Sequence, residues 1–205
     1  MNAIRIAGIM VSDFTFNHSS RGEKVYAAEV AVVREGRKIE IVPIRSSEKN
    51  IDTNEKYIGK FVSIYGNVRV TNAADENRSH SEVFVWLRSF KFMENYSAEN
   101  DATLDGVISS DVGEKANGIL YFFLETETSF GTKFFIPCSA LKYKVPNLNK
   151  GMKVTATGVF KSRRYIKEED DGNVSVKEAR EIFVTKIEES EDEDAECEDQ
   201  GADAE

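Results

Sequence analysis

The chain is poor in the residues that most often carry covalent cross-links or catalysis. Its 205 residues include two cysteines, two histidines, three prolines and one tryptophan. Cys138 falls in a predicted strand and Cys197 in an acidic tail, too few and too differently placed for a disulfide framework or a zinc site. His18 and His80 lie in polar stretches without plausible triad partners, and no phosphate-cradling loop of the P-loop kind occurs. These absences argue against an enzyme and give no cofactor or metal a home. The acidic run at residues 168–171 reads as a solvated loop tip rather than a cation site. No stretch approaches the ~18 apolar residues of a membrane helix, and residues 1–5 lack the apolar core of a signal peptide. A soluble, cytoplasmic protein with no membrane contact is expected.

The formal charge of -9 is unevenly spread. Residues 188–205 hold eleven acidic side chains and no basic one, which leaves 27 basic against 25 acidic residues in the body. Residues 1–93 carry +3 and residues 102–187 carry +2. The acidity therefore belongs to the tail, and it does not exclude a polyanionic partner for the body. A tail with so little apolar content cannot bury enough surface to fold, so disorder is expected for it.

What the chain does have is a repeat. Gly8-Ile9-Met10-Val11-Ser12-Asp13 returns as Gly106-Val107-Ile108-Ser109-Ser110-Asp111. The echo continues in order: Tyr26 by Tyr121, Pro43 by Pro137, Gly59 by Gly151, Gly66 by Gly158, and Glu82-Val83-Phe84-Val85 by Glu181-Ile182-Phe183-Val184. A domain of roughly 90 residues is written twice.

Within the first copy, alternation and β-branched content predict strands over residues 3–12, 26–33, 38–44, 61–70 and 82–90. A polar loop at residues 17–23 follows the first strand, and Arg34-Glu35-Gly36-Arg37 reads as a hairpin. Residues 46–58 carry an N-cap candidate and helix formers up to Gly59, which predicts a short helix or irregular helical segment. Residues 71–81 read as a long polar turn. The second copy repeats the order with strands over 102–109, 119–126, 132–138, 152–160 and 180–187. It has a poor helix over 141–150, broken by Pro146, and a long loop over 161–178. Residues 94–101 read as the linker. Five strands with a helix between the third and fourth describe the OB-fold. The chain is thus expected to be all-β: two tandem five-stranded Greek-key barrels, residues 1–93 and 102–187, followed by the acidic tail, 188–205.

The repeated head motif, the run Tyr57-Ile58-Gly59-Lys60-Phe61-Val62-Ser63-Ile64-Tyr65-Gly66, and above all Gly158-Val159-Phe160-Lys161-Ser162-Arg163-Arg164-Tyr165 resemble the bacterial single-stranded DNA-binding protein family. In that family a glycine ending strand four is followed by an apolar residue, a basic residue, Ser or Thr, two basic residues and an aromatic. The resemblance implies binding of single-stranded DNA without sequence preference, in replication, recombination or repair, by a bacterial, phage or mobile-element protein associated with the nucleoid. It implies a stacking platform at Tyr165 and phosphate contacts from Lys161, Arg163 and Arg164. Stacking tolerates any base, because every base has a π-face, and contributes ~1 to 3 kcal/mol per base. Because family members present four OB-folds per assembly, two per chain implies a homodimer.

The first copy departs from the pattern, with Arg69 as the one basic residue after Gly66 and Ala73 where the aromatic stands. Phe14, Phe16 and Arg21 on the loop after strand one are expected to compensate, or Trp86, which shares a strand face with Phe84 and Arg88. Val83, Val85 and Leu87 on the opposite face are expected to be core. The hairpin cations Arg34, Arg37 and Lys38 serve either binding or solubility. In the second copy Phe123 and Phe134 are expected to face the ligand, each opposite a core neighbour, Phe122 and Phe135. The tail resembles family tails that recruit replication and repair enzymes and compete with DNA. It lacks their terminal apolar residue, ending Ala202-Asp203-Ala204-Glu205, so charge competition or solubility is left to it. The competing readings are an OB-fold adaptor for a primosome or recombination protein, and an RNA-binding OB protein.

Overall fold

A computed structural model describes residues 1–20, 22–33, 38–75, 78–168 and 174–190. Arg21, Arg34 and Arg37, the loop tip after Glu168, and residues 191–205 with most of the acidic tail lie outside the described residues. Most of the described residues lie in strands. The first half has β1 (Asn2–Met10), β2 (Thr15–Ser20), β3 (Glu23–Val33), β4 (Ile39–Ser47), β5 (Phe61–Asp75) and β6 (Arg78–Phe92). The second has β7 (Glu99–Ile108), β8 (Gly113–Glu114), β9 (Ile119–Glu127), β10 (Lys133–Leu141), β11 (Lys153–Glu168) and β12 (Val174–Glu189).

Each half closes on itself in the same way. β1 pairs with β5 along most of its length and then, past Gly8, with β3 through Ile9 and Met10; β3 pairs with β4, and β4 runs parallel to β6, which pairs with β5. The ring β7-β9-β10-β12-β11 repeats this, with Cys138 opposite Ile182 in the parallel pair. This is the OB-fold strand order. The repeated glycines permit the closure. A methyl group at Gly66 would overlap the carbonyl oxygen of Trp86, and one at Gly158 that of Phe183, each at a bulge between the long strands.

The interior is aliphatic. Ile4, Ile6, Val30, Ile44, Val68, Val85 and Leu87 fill the first barrel and Leu104, Leu124, Ile136, Phe160, Ile182 and Val184 the second, all essentially inaccessible. Burying one such side chain contributes about 1.5–3 kcal/mol. Val83, Val85 and Leu87 are thus core as expected.

The two barrels join edge to edge. β1 pairs antiparallel with β7, and Ile4 sits opposite Ala102, its own counterpart in the repeat, so a local pseudo-twofold axis passes between them. Asparagines repeat on either side of it. Asn2 accepts the N–H of Val68 (2.8 Å) and donates to its carbonyl (2.9 Å); Asn100 does the same to Phe160 (2.8 and 2.8 Å). Each amide stands in for a strand where the β1–β5 or β7–β11 ladder has run out, which satisfies backbone groups that burial would otherwise leave unpaired.

Three expectations need correction. The helices between strands three and four are absent: β4 runs on to Ser47 in register with Val25, and only a 3-10 turn, Glu48–Asn50, follows. The rest of that segment is held by Tyr57, whose hydroxyl donates to the Asp52 carbonyl (2.9 Å) and accepts the Asp52 N–H (3.1 Å). In the second half the helix reduces to the 3-10 turn Lys142–Lys144. Within the supposed long loops, residues 71–75, 78–81, 161–168 and 174–178 continue the strands, which form two long arms, β5–β6 and β11–β12. The acidic tail begins within β12, since Glu188 and Glu189 still pair with Thr155 and Val154. In addition β7 starts at Glu99, inside the stretch read as linker, and residues 17–20 of the first polar loop belong to β2.

Candidate nucleic-acid interface

Cross-strand partners share a face of a sheet, so the register assigns each candidate side chain to the front of a barrel or to its interior. On the second barrel Phe123 stands opposite Pro137, Phe135 opposite Glu125 and Tyr121 opposite Ser139. These point outward, while Phe122, Leu124, Ile136 and Cys138 point in. Phe123 is 44% exposed and Phe135 50%. Across the parallel pair, Ser139 meets Phe183, and Lys161 lies over the Phe183 ring at 4.6 Å. Further out on the arm, the Arg163 guanidinium lies 5.7 Å from the Tyr165 ring, and Tyr165 is 41% exposed. At the near end, the Lys115 ammonium lies 4.2 Å from the Tyr121 ring. The result is an open sheet face paved with Tyr121, Phe123, Phe135, Phe183 and Tyr165 and edged with Lys115, Lys161 and Arg163.

The sequence placed Phe123 and Phe134 on that face. Phe134 belongs on the other side: it shares its face with Ile136 and Cys138 and packs against the core, and Phe135 takes its place. The basic cluster divides as well. Lys161, Arg163 and Tyr165 share the front, whereas Arg164 shares the opposite face with Ser162 and Ile166.

That opposite face of the arm turns onto the first barrel. Glu40 accepts the N–H of Ser162 (2.7 Å) and its hydroxyl (3.1 Å), and Ser162 in turn accepts the Ile41 N–H (3.1 Å). Arg180 reaches Glu82 (3.4 Å), Glu29 (3.8 Å) and its own arm's Glu178 (2.7 Å). Glu82 also pairs with Arg45, whose guanidinium covers the Phe84 ring at 4.2 Å and donates to Thr71 (3.3 Å). The first barrel's front is therefore closed by a continuous ion-pair network, and Phe84, on that front, is 3% exposed beneath it.

A second concentration of cations and rings lies at the junction. Arg69 lies 4.5 Å from the Trp86 ring and 5.7 Å from the Phe134 ring of the other barrel. Arg88, beside it, donates from Nε to Asn67 (2.7 Å), a neutral partner. Burial, then the charge of Arg88, pushes the Arg69 guanidinium down to about 10, so it stays cationic at neutral pH. Its buried Nε has no hydrogen-bond partner among the described residues. Two guanidiniums with no described carboxylate between them leave an electrostatic cost that an anion would relieve.

Of the remaining candidates, Phe14 is core: it is 7% exposed and meets Tyr57 edge-on at 5.0 Å. The apolar residue after the first strand completes the barrel's end rather than a groove. Phe16 is exposed on β2, edge-on to Tyr26 at 6.1 Å, and Lys38 is exposed just before β4. Tyr121, Phe135, Phe183 and Lys115 were missed as site residues; the register of Phe123 opposite Pro137 is the signal that finds Phe135. Among titratable groups, burial pushes the Cys138 thiol up, which keeps it protonated and unreactive.

No protein-family model matches the sequence and no curated protein does. The fold does have solved counterparts. The single-stranded DNA-binding protein from Thermus aquaticus superposes with a TM-score of 0.73 at 13% identity, over 97% of this chain and 97% of that one. A deletion mutant of the same protein gives 0.68 at 14%, over 96% and 98%. Along nearly its whole length the chain is similar to that protein in fold, a duplicated OB-fold in a single polypeptide.

Proposed function

We propose that the protein binds single-stranded DNA without sequence preference, bases stacking on the second barrel's front and phosphates held by Lys161, Arg163 and Lys115, with Arg69, Arg88 and Trp86 continuing the site across the junction. The observation that carries this is the open face on which Tyr121, Phe123, Phe135, Phe183 and Tyr165 are outward and interleaved with cations. Full-length similarity in fold to a single-stranded DNA-binding protein supports it. A role in replication, recombination or repair follows from that activity, in the cytoplasm or nucleoid. A homodimer would bring four barrels together, and the acidic tail would compete with DNA by charge.

Titration of oligo(dT) by quenching of Trp86 and tyrosine fluorescence, repeated across salt, tests the reading. Tight binding that weakens steeply as salt rises is expected. A protein ending at Ser190, which keeps β12 whole, that fails to bind oligo(dT) at low salt would overturn it. Stronger binding to oligo(U) than to oligo(dT) would move the function to RNA, and binding to neither would leave the protein adaptor. Mass measurement in solution, with and without oligonucleotide, reads the oligomer.

A further inference from the structure

The closed front of the first barrel holds the back of the arm that carries the second barrel's cations. Ser162 and Arg180 stand opposite each other across β11 and β12, so the first barrel grips both strands of the arm at a single rung. Glu40 takes one strand, accepting the Ser162 N–H (2.7 Å) and hydroxyl (3.1 Å), and Glu82 and Glu29 take the other through Arg180 (3.4 and 3.8 Å). The contact also finishes a sheet edge. The β7–β11 ladder ends at Gly158; Asn100 then accepts the Phe160 N–H (2.8 Å), and Glu40 accepts the next one on that edge, from Ser162. Glu40 is 3% exposed, and hydrogen bonds to a carboxylate are stronger than those to a neutral oxygen. Duplication alone does not produce this grip. Counted from the repeated proline, glycine and glutamate, the places of Glu40 and Ser162 hold Phe134 and Val70 at the other junction, both apolar and packed on the core, and the place of Arg180 holds Ser81.

The gripped rung fixes what lies on the other face of the arm. Successive side chains of a strand point to opposite faces, so Ser162, held to the back, sets Lys161 and Arg163 forward, and Tyr165 shares their face. We infer that the first barrel braces the DNA-binding arm: Glu40, Glu82 and Glu29 are positioning residues that hold Lys161, Arg163 and Tyr165 toward the strand without contacting it. The inference rests on the proposed DNA binding and gives the first barrel a part in it through its closed front. It also reverses the sign that charge alone would give. Removing a carboxylate from a protein that binds a polyanion ordinarily tightens binding. Removing Glu40 should weaken it, because a loosened arm must be ordered again when the strand binds.

Glu40→Ala should lower affinity for oligo(dT) at low salt about tenfold and shrink the slope of log K against log salt by about 1.4, or ~0.7 for each phosphate contact of Lys161 and Arg163, although neither cation is replaced. Glu40→Gln, whose amide oxygen still accepts both hydrogen bonds, should bind within about threefold of the parent. Ser162→Ala, which removes the hydroxyl and keeps the strand, should shift affinity and slope in the same direction by less. In a protein already carrying Lys161→Ala, Arg163→Ala and Tyr165→Ala, Glu40→Ala should weaken binding no further, since its effect passes through those side chains. Hydrogen exchange in the DNA-free protein checks the fold: with Glu40→Ala the Ser162 amide should lose protection while the amides of the core residues Ile182 and Val184 keep it. Unchanged or tighter binding by Glu40→Ala, at the parent's salt slope, overturns the brace, and so does an equal loss in the protein lacking the three arm side chains. If the parent itself binds no oligo(dT), the DNA-binding reading falls and the brace's part in it falls too.

Discussion

Glu29 and Phe123 occupy equivalent places in the two barrels, each opposite the repeated proline of the neighbouring strand. Arg45 and Ser139 are likewise equivalent, each two residues past that proline, and each meets the glutamate that begins the last repeated motif, Glu82 or Glu181. In the first barrel these positions hold charges, Arg45 paired with Glu82 and Glu29 with Arg180, which also reaches Glu82; in the second they hold a phenylalanine and a small hydroxyl. The same backbone therefore offers one face sealed by ion pairs and one open to stacking. Duplication supplied two front faces, and substitution at two or three positions on each assigned them different work. The closed face is also what ties the barrels together, because Arg180 arrives from the second.

The sharpest way to break this contrast is to strip both fronts of aromatics. Phe123→Ala, Phe135→Ala and Tyr165→Ala together should weaken oligo(dT) binding at least 100-fold, at ~1 to 3 kcal/mol per stacked base, whereas Phe16→Ala in the first barrel should change it less than about threefold; comparable losses in both would end the distinction. Next in size is Glu82→Gln. It leaves Arg45 and Arg180 facing each other with a weaker partner, so denaturant unfolding should show a loss of about 1–3 kcal/mol. Glu181→Gln, which perturbs the Ser139 contact (2.7 Å), should cost less than about 1 kcal/mol. Arg69→Ala should reduce affinity several-fold and the salt slope by about 0.7, the share of one phosphate, with little loss of stability because it also removes the repulsion from Arg88.

The smallest effect separates the repeated aspartates. Asp13 accepts the N–H groups of Tyr57 (2.7 Å) and Ile58 (3.2 Å), and these bonds, with the Lys56 charge, hold its carboxyl below the usual range despite some opposing desolvation. A depressed folded-state pKa contributes stability that is complete above the ordinary carboxylate pKa near 4 and is lost as pH falls through the lower folded value. Asp13→Asn should therefore lower the melting temperature at pH 7 and flatten its decline between about pH 5 and 3. Asp111→Asn should leave the melting temperature at pH 7 unchanged, since Asp111 is exposed and makes no such contact among the described residues.

The places where the sequence misleads share a cause. The arms β5–β6 and β11–β12 read as loops because polar and charged residues fall at both odd and even positions of 71–81 and 161–178, so the period of two disappears from the sequence. Residues 46–58 read as a helix because capping and propensity are weak local signals that strand pairing overrode through Ser47. Phe134 and Phe135 are adjacent aromatics of opposite orientation. Alternation says that one faces in, and a slip of one residue exchanges them, so the choice waits on the register with β9.

The duplication, the strand order, the aliphatic face of β6, the glycines at the bulges and the basic run ending in Tyr165 were all written in the order and spacing of residues, since each depends on neighbours along one strand or on repetition. Which front is open could not be. Arg180 and Glu82, Glu40 and Ser162, Arg69 and Phe134 come from different barrels. Charge and aromatic content are local properties of a chain, but whether a cation is satisfied or free is a property of what packs against it, and that was settled by the closing of the two rings and the pairing of β1 with β7.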